Sequence, residues 1–225
     1  MIIKIGLREK KFIRTRLKLA EALVKRLDHA SLEEIVVRDL CDDVEISEAT
    51  FFNYFPRKVD LLDYYTQMWM LDLNWRCLNS SKRGLAAVAV PFDLMAQAFQ
   101  TQAGVMSEII ARQALLRKKP SVMEVSATER MMAYPDHSGI ETVPAGGVDK
   151  AWLPALEKAI QSGELPPNSH MPTLMVGLAS IFYGLPLALR QTNVSAIPSM
   201  YTQQLTVFWA GIRSTAAGNN KVPPH

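Results

Sequence analysis

Apolar residues in this chain recur every three or four positions and nowhere sustain a one-by-one alternation. Leu17, Leu19, Ala20, Leu23, Val24 and Leu27 do so after Arg14, and Leu62, Tyr65, Trp69 and Leu73 do so after Pro56. A period near 3.6 puts such residues on one helix face, whereas a half-buried strand needs a period of two. Helices are therefore predicted over Arg14–Leu27, from near Leu32 or a few residues later to Val44, from Ser47 to Phe55, and along the run that begins RKVDLL. More follow over Pro91–Gln102, Val105–Arg117, Ser121–Met132, Asp149–Gln161, Pro172–Arg190 and Ile197–Arg213, with a Pro-, Gly- and Asp-rich loop at Tyr134–Val148. The expected class is all-α, without internal repeats.

Local punctuation sharpens these boundaries. Ser31-Leu32-Glu33-Glu34 has the form of a capping box. Ser47 is placed to cap the third helix, with Glu48 at its positive end. Pro56 disfavours helical geometry at Phe55 and ends that helix there. Within it, Phe51 and Phe55 lie four apart on one face, while Ser47, Thr50, Asn53 and Tyr54 point elsewhere. A helix anchored on one side and polar on the other has the shape and chemistry to enter a DNA major groove.

The charge is unevenly spread. Residues 1–26 contain nine basic and two acidic side chains, a local +7 on a chain whose formal total is +3, which is the footprint of contact with a polyanion. Cys41 and Cys77 have neither a pairing motif nor metal-ligand spacing, as expected in a reducing cytoplasm. His29, His137, His170 and His225 are scattered, and no phosphate loop, nucleophile elbow or metal-spaced carboxylate pair occurs. Neither catalysis nor a metal or cofactor is expected. Met171–Leu189 carries no charge and approaches a bilayer-spanning length, but Pro172, Gly177, Gly184 and Pro186 and the helix that follows favour a buried or interface helix over a membrane span.

The stretch VRDLCDDVEISEATFFNYFPRKVDLL, Val37 to Leu62, resembles the TetR family of transcriptional regulators: a small-residue helix, a turn, Ser, Thr, an aromatic run ending in Phe, then Pro-x-Lys-x-x-Leu-Leu. The resemblance covers residues 14 to about 64; beyond them only helix order and length agree. It implies an N-terminal three-helix helix-turn-helix DNA-binding domain over 1–60, with a basic arm at 1–13. A larger helical domain at 61–215 would bind an effector and dimerise, followed by a flexible tail at 216–225. By composition alone the change of character falls later, beyond Ser80–Gly84. Carried over by position, the DNA contacts are Arg38, Ser47, Glu48, Ala49, Thr50, Asn53, Tyr54 and Lys58, with Tyr54 and Lys58 on phosphates and Asn53 on a base edge. Three positions depart from the pattern: Glu45 stands where glycine is common, Glu48 where a base is common, and Phe52 where a tyrosine hydroxyl often grips phosphate.

For the second domain, an apolar effector lining is expected from Trp75, Phe92, Met95, Phe99, Met106, Ile110, Met131, Trp152, Phe182 and Tyr183, residues equally suited to a core. A homodimer is expected to pair a small-residue stripe, Gly177, Ser180, Gly184 and Ala188, and a bulky one, Leu174, Leu178, Ile181 and Leu185, together with Leu205, Phe208 and Trp209. The implied partners are a palindromic DNA operator and a small apolar effector, with repression relieved on effector binding through the long fourth helix. The alternative is a membrane-associated or structural helical protein that does not bind DNA.

Overall fold

In a computed structural model, which describes residues 6–117 and 124–219, the described residues form ten α-helices and no strand. They are α1 (Leu7–Leu27), α2 (Val37–Val44), α3 (Glu48–Tyr54), α4 (Lys58–Leu78), α5 (Gly84–Thr101), α6 (Ala103–Leu115), α7 (Ala127–Ala133), α8 (Asp149–Gln161), α9 (Met171–Leu189) and α10 (Ile197–Asn219). Two short 3-10 turns lie at Ile140–Thr142 and Val194–Ala196. The all-α expectation holds.

The capping signals act as local chemistry requires. The Ser31 backbone N–H and hydroxyl both donate to the Glu34 carboxylate, at 2.8 and 2.7 Å, but this box closes a turn and α2 begins only at Val37. Phe55 is extended, with φ −137° and ψ 101°, and α3 stops ahead of Pro56. The largest departure is α5. It starts at Gly84 and carries Pro91 inside it, because Val88, Pro91, Phe92 and Met95 together form its buried face, and that burial offsets the roughly 3 kcal/mol that an internal proline costs. Helix α7 starts at Ala127, later than expected, because the Ser126 hydroxyl caps it by accepting from the Glu129 N–H at 3.2 Å. The earlier part of that predicted helix, residues 121–123, lies outside the described residues. Helix α10 runs on to Asn219, past the expected boundary at 215; the rest of the predicted tail also lies outside them.

Packing divides the chain into two compact units, elsewhere than at residue 60. The first comprises the chain up to Trp75 together with Gln102–Ala145; the second comprises Arg76–Thr101 together with the chain from Gly146. Helices α6 and α7 thus belong with α1, α2 and α3. The join is close: a side chain at Gly104 of α6 would run into the Leu27 carbonyl at the end of α1.

A buried polar group lies within the first unit. Arg16 of α1 and Glu129 of α7, 5% and 2% exposed, pair at 3.1 Å, and the Tyr64 hydroxyl of α4 donates to the same carboxylate at 2.7 Å. The Arg16 guanidinium lies 4.3 Å from the centre of the Tyr64 ring and 5.6 Å from that of Phe55. Burial pushes the Glu129 carboxyl above its ordinary range, against the opposing pull of Tyr64 and Arg16.

Glu129→Gln keeps the shape but takes the carboxylate charge away from the buried Arg16 guanidinium, and should cost about 3–5 kcal/mol in urea unfolding. Replacing both partners, Arg16→Met with Glu129→Leu, should recover most of that loss. An unchanged unfolding midpoint for Glu129→Gln would show that the pair does not hold α7 to α1.

Candidate functional site

The turn between α2 and α3 is built on one left-handed residue. Glu45 has φ 58° and ψ 49°, and the Ile46 N–H donates back to the Cys41 carbonyl at 3.0 Å. Ser47 then caps α3, its hydroxyl accepting from the Thr50 N–H at 3.2 Å and lying 2.8 Å from the Thr50 hydroxyl. Phe51 and Phe55 are fully buried, their ring centres 6.0 Å apart, and Phe55 lies 5.5 Å from Tyr64. With these two rings pinned, Glu48, Ala49, Phe52 and Asn53 are the exposed residues of α3, while Thr50 and Tyr54 are half-buried.

The remaining candidates differ in how they are held. Arg38 is exposed in the first turn of α2. The Lys58 ammonium, at the start of α4, donates to the carbonyls of Glu33, at 3.1 Å, and Ile35, so it fastens the segment that leads into α2. Two of its three donors are thereby engaged. The Tyr54 ring packs 4.9 Å from Phe12 of α1. Phe12 was not singled out from the sequence, although an aromatic amid Lys10, Lys11 and Arg14 was the available signal. This contact brings the basic start of α1, with Arg8, Lys10, Lys11 and Arg14, beside the C-terminal end of α3.

Not every basic residue of the stretch 1–26 faces outward. Arg16 is internal, and Arg26 grips both oxygens of Asp43, at 2.6 and 2.9 Å, and the Asp39 carboxylate at 3.4 Å. The hydrogen bond from Arg26 holds the Asp43 carboxyl below its usual range. A cleft of about 670 Å³ lies along α1 and α2, lined by charges of both signs, among them Lys18, Glu21, Lys25, Glu34 and Asp39. None of the expected effector residues lines it.

Those effector candidates are divided between the two units. Trp75, Met106, Ile110 and Met131 belong to the first unit; Phe92, Met95, Phe99, Trp152, Phe182 and Tyr183 belong to the second. Trp75 lies 3.9 Å from the His137 ring and donates to the Ser138 carbonyl at 2.9 Å, while His137 meets the Asp72 carboxylate at 2.7 Å. These contacts tie the 134–143 segment to α4. In the second unit Phe92, Trp152 and Phe182 pack with ring centres 5.3–5.5 Å apart, and Tyr201 joins them 5.1 Å from Phe92. Tyr201, absent from the sequence-based set, donates its hydroxyl to the Phe182 carbonyl at 2.6 Å. The Trp152 indole N–H is buried with no hydrogen-bond partner among the described residues.

The dimer candidates need correcting by burial. Leu174, Leu178, Leu205 and Trp209 are buried within their own unit, so these side chains are covered before any partner arrives. Gly177 serves an internal approach as well, since a side chain there would overlap the Phe208 ring of α10. Ile181, Leu185 and Phe208 are half-buried, whereas Ser180, Gly184 and Ala188 are exposed. The open face of α9 and α10 also includes Val176 and Val207, each 67% exposed, and Leu187. Only 22% of the most apolar window of α9 is buried.

The left-handed Glu45 carries a side chain where glycine is unstrained. Glu45→Gly should raise stability by up to about 1 kcal/mol in chemical unfolding, less whatever entropy glycine adds to the unfolded chain. A clear loss of stability would mean that the Glu45 side chain supports the turn.

Comparison with known proteins finds no matching family model, no matching curated protein and no matching solved structure.

Proposed function

We propose that this protein is a cytoplasmic DNA-binding transcriptional regulator of TetR-like design that works as a homodimer and is released from its operator by a small apolar effector. The observation that carries the reading is the presentation of α3. Buried Phe51 and Phe55 hold it so that Glu48, Ala49, Phe52 and Asn53 face outward, and the Phe12–Tyr54 contact sets basic side chains at one end of that face. Phosphates would be met at that end, by Arg8, Lys10, Lys11 and Arg14 and by the Tyr54 hydroxyl. The other end carries Glu45 and Glu48, which repel phosphate. Lys58 can offer phosphate its remaining donor without giving up the carbonyls it holds, and Ser47 and Thr50 act chiefly by capping the helix.

The effector reading draws on the second unit. Its aromatic cluster contains a buried indole donor with no acceptor among the described residues, and a buried donor gains free energy from an acceptor. An apolar molecule with one carbonyl or ether oxygen would supply it. Helix α4 starts among the DNA-facing residues and its last turn, from Arg76, belongs to the second unit, which makes it the shared element. A coupling of about 1–3 kcal/mol between the two sites would change operator affinity 5- to 150-fold.

Dimerisation draws on the face left open by α9 and α10. Val176, Ser180, Gly184, Leu187 and Val207 offer bulky and small side chains that a second copy of the same pair of helices would cover.

Two measurements test this reading. Binding of the full chain to duplexes selected from a random library should weaken linearly on a log–log salt plot, and Arg8→Ala with Lys11→Ala should reduce the slope by about two; failure to select any duplex rules the reading out. Light scattering without detergent should give a dimer, and Val176→Glu, at a site open in the single chain, should give a folded monomer. A need for detergent would instead place α9 in a bilayer.

A further inference from the structure

The outward face of α3 carries no cation. Its exposed side chains are a carboxylate, a methyl, a phenyl ring and a carboxamide, from Glu48, Ala49, Phe52 and Asn53. Major-groove guanine is most often read by a guanidinium or ammonium on its O6 and N7, and this face has neither. It has instead two apolar groups three residues apart, on adjoining turns of one face. Phe52 is 46% exposed, whereas Phe51 of the same helix and Phe55 at its C-terminal cap are fully buried. It is not loosely held: its ring meets Phe51 edge-on at 5.4 Å, so the buried ring fixes the direction of the exposed one. Along the floor of the major groove the one apolar group is the 5-methyl of thymine.

We propose that Phe52, with Ala49 beside it, is the specificity-determining element of α3 and reads thymine through its 5-methyl group. The inference rests on α3 being the helix that enters the groove. The aromatic ring covers the methyl and removes it from water, while Asn53 is placed to pair with an adenine and Glu48 to accept from the amino group of a cytosine. The basic start of α1 supplies the attraction that α3 lacks, so affinity and specificity are divided between the two helices. The Phe52 ring carries no hydroxyl, so it has only apolar contact to offer.

The test uses the full chain and a duplex obtained by selection from a random library. Each thymine of the selected half-site is replaced in turn by deoxyuridine, which deletes the methyl and leaves base pairing intact. At one or more positions the wild type should lose about fourfold in affinity, the value of one buried methyl. Phe52→Ala should abolish that difference, binding the thymine and uracil duplexes alike, while Phe52→Leu should keep part of it. If no uracil changes wild-type affinity by more than about 1.5-fold, or if Phe52→Ala keeps the full thymine preference, the inference is overturned while duplex binding stands. If selection yields no duplex at all, the DNA reading and this inference fall together. The wild-type arm needs no altered protein, so a folding defect in a variant does not decide the outcome.

Discussion

An arginine placed among the bases of an amphipathic helix is turned inward in this protein, and the first unit is organised around it. Arg16 reaches Glu129 of α7 under the rings of Tyr64 and Phe55, so one guanidinium touches α1, α4, α7 and the residue that ends α3. Such a pair is costly. Desolvation raises the Glu129 carboxyl in spite of the favourable charge and hydroxyl beside it. What the pair supplies is geometry: two buried opposite charges in hydrogen-bond contact restrict how α1 and α7 can pack.

The presentation of α3 follows from that geometry. Phe55 rests on Tyr64, Phe51 rests on Phe55, and Phe52 is set edge-on against Phe51, a series of ring contacts leading from the buried pair to the outer face of a seven-residue helix. A helix that short is not stable by itself. Its N-terminus is capped by Ser47 and its C-terminus is stopped ahead of Pro56, but its orientation belongs to its neighbours. The proposed division of labour, with attraction on α1 and discrimination on α3, follows from where these contacts leave the charges.

Small residues in α9 have two different duties that look identical in sequence. Gly177 makes room for Phe208 of the same chain, whereas a side chain at Gly184 would meet no described residue beyond its own stretch of helix. Leu174 and Leu178 are core, and Val176 and Val207 are left open. A helix without charge therefore has one face that builds its own unit and another that is exposed among the described residues.

Local signals determined much of this protein. The helical class, the Ser47 cap, the stop at Pro56, the burial of Phe51 and Phe55, the limits of α8 and the left-handed strain at Glu45 all follow from interactions within a few residues, and these are legible in a sequence because period, cap and turn chemistry are local. Tertiary structure decided the rest. It drew Arg16 out of the basic face, gave Lys58 two carbonyls to hold, carried α5 through Pro91, assigned α6 and α7 to the unit of α1, and chose which stripe of α9 is core. Each of these depends on side chains distant in sequence meeting in space. Helical period says that a face is apolar or basic, but the partner it meets, and so whether a residue on it is buried, paired or left for another molecule, is settled only when the helices pack.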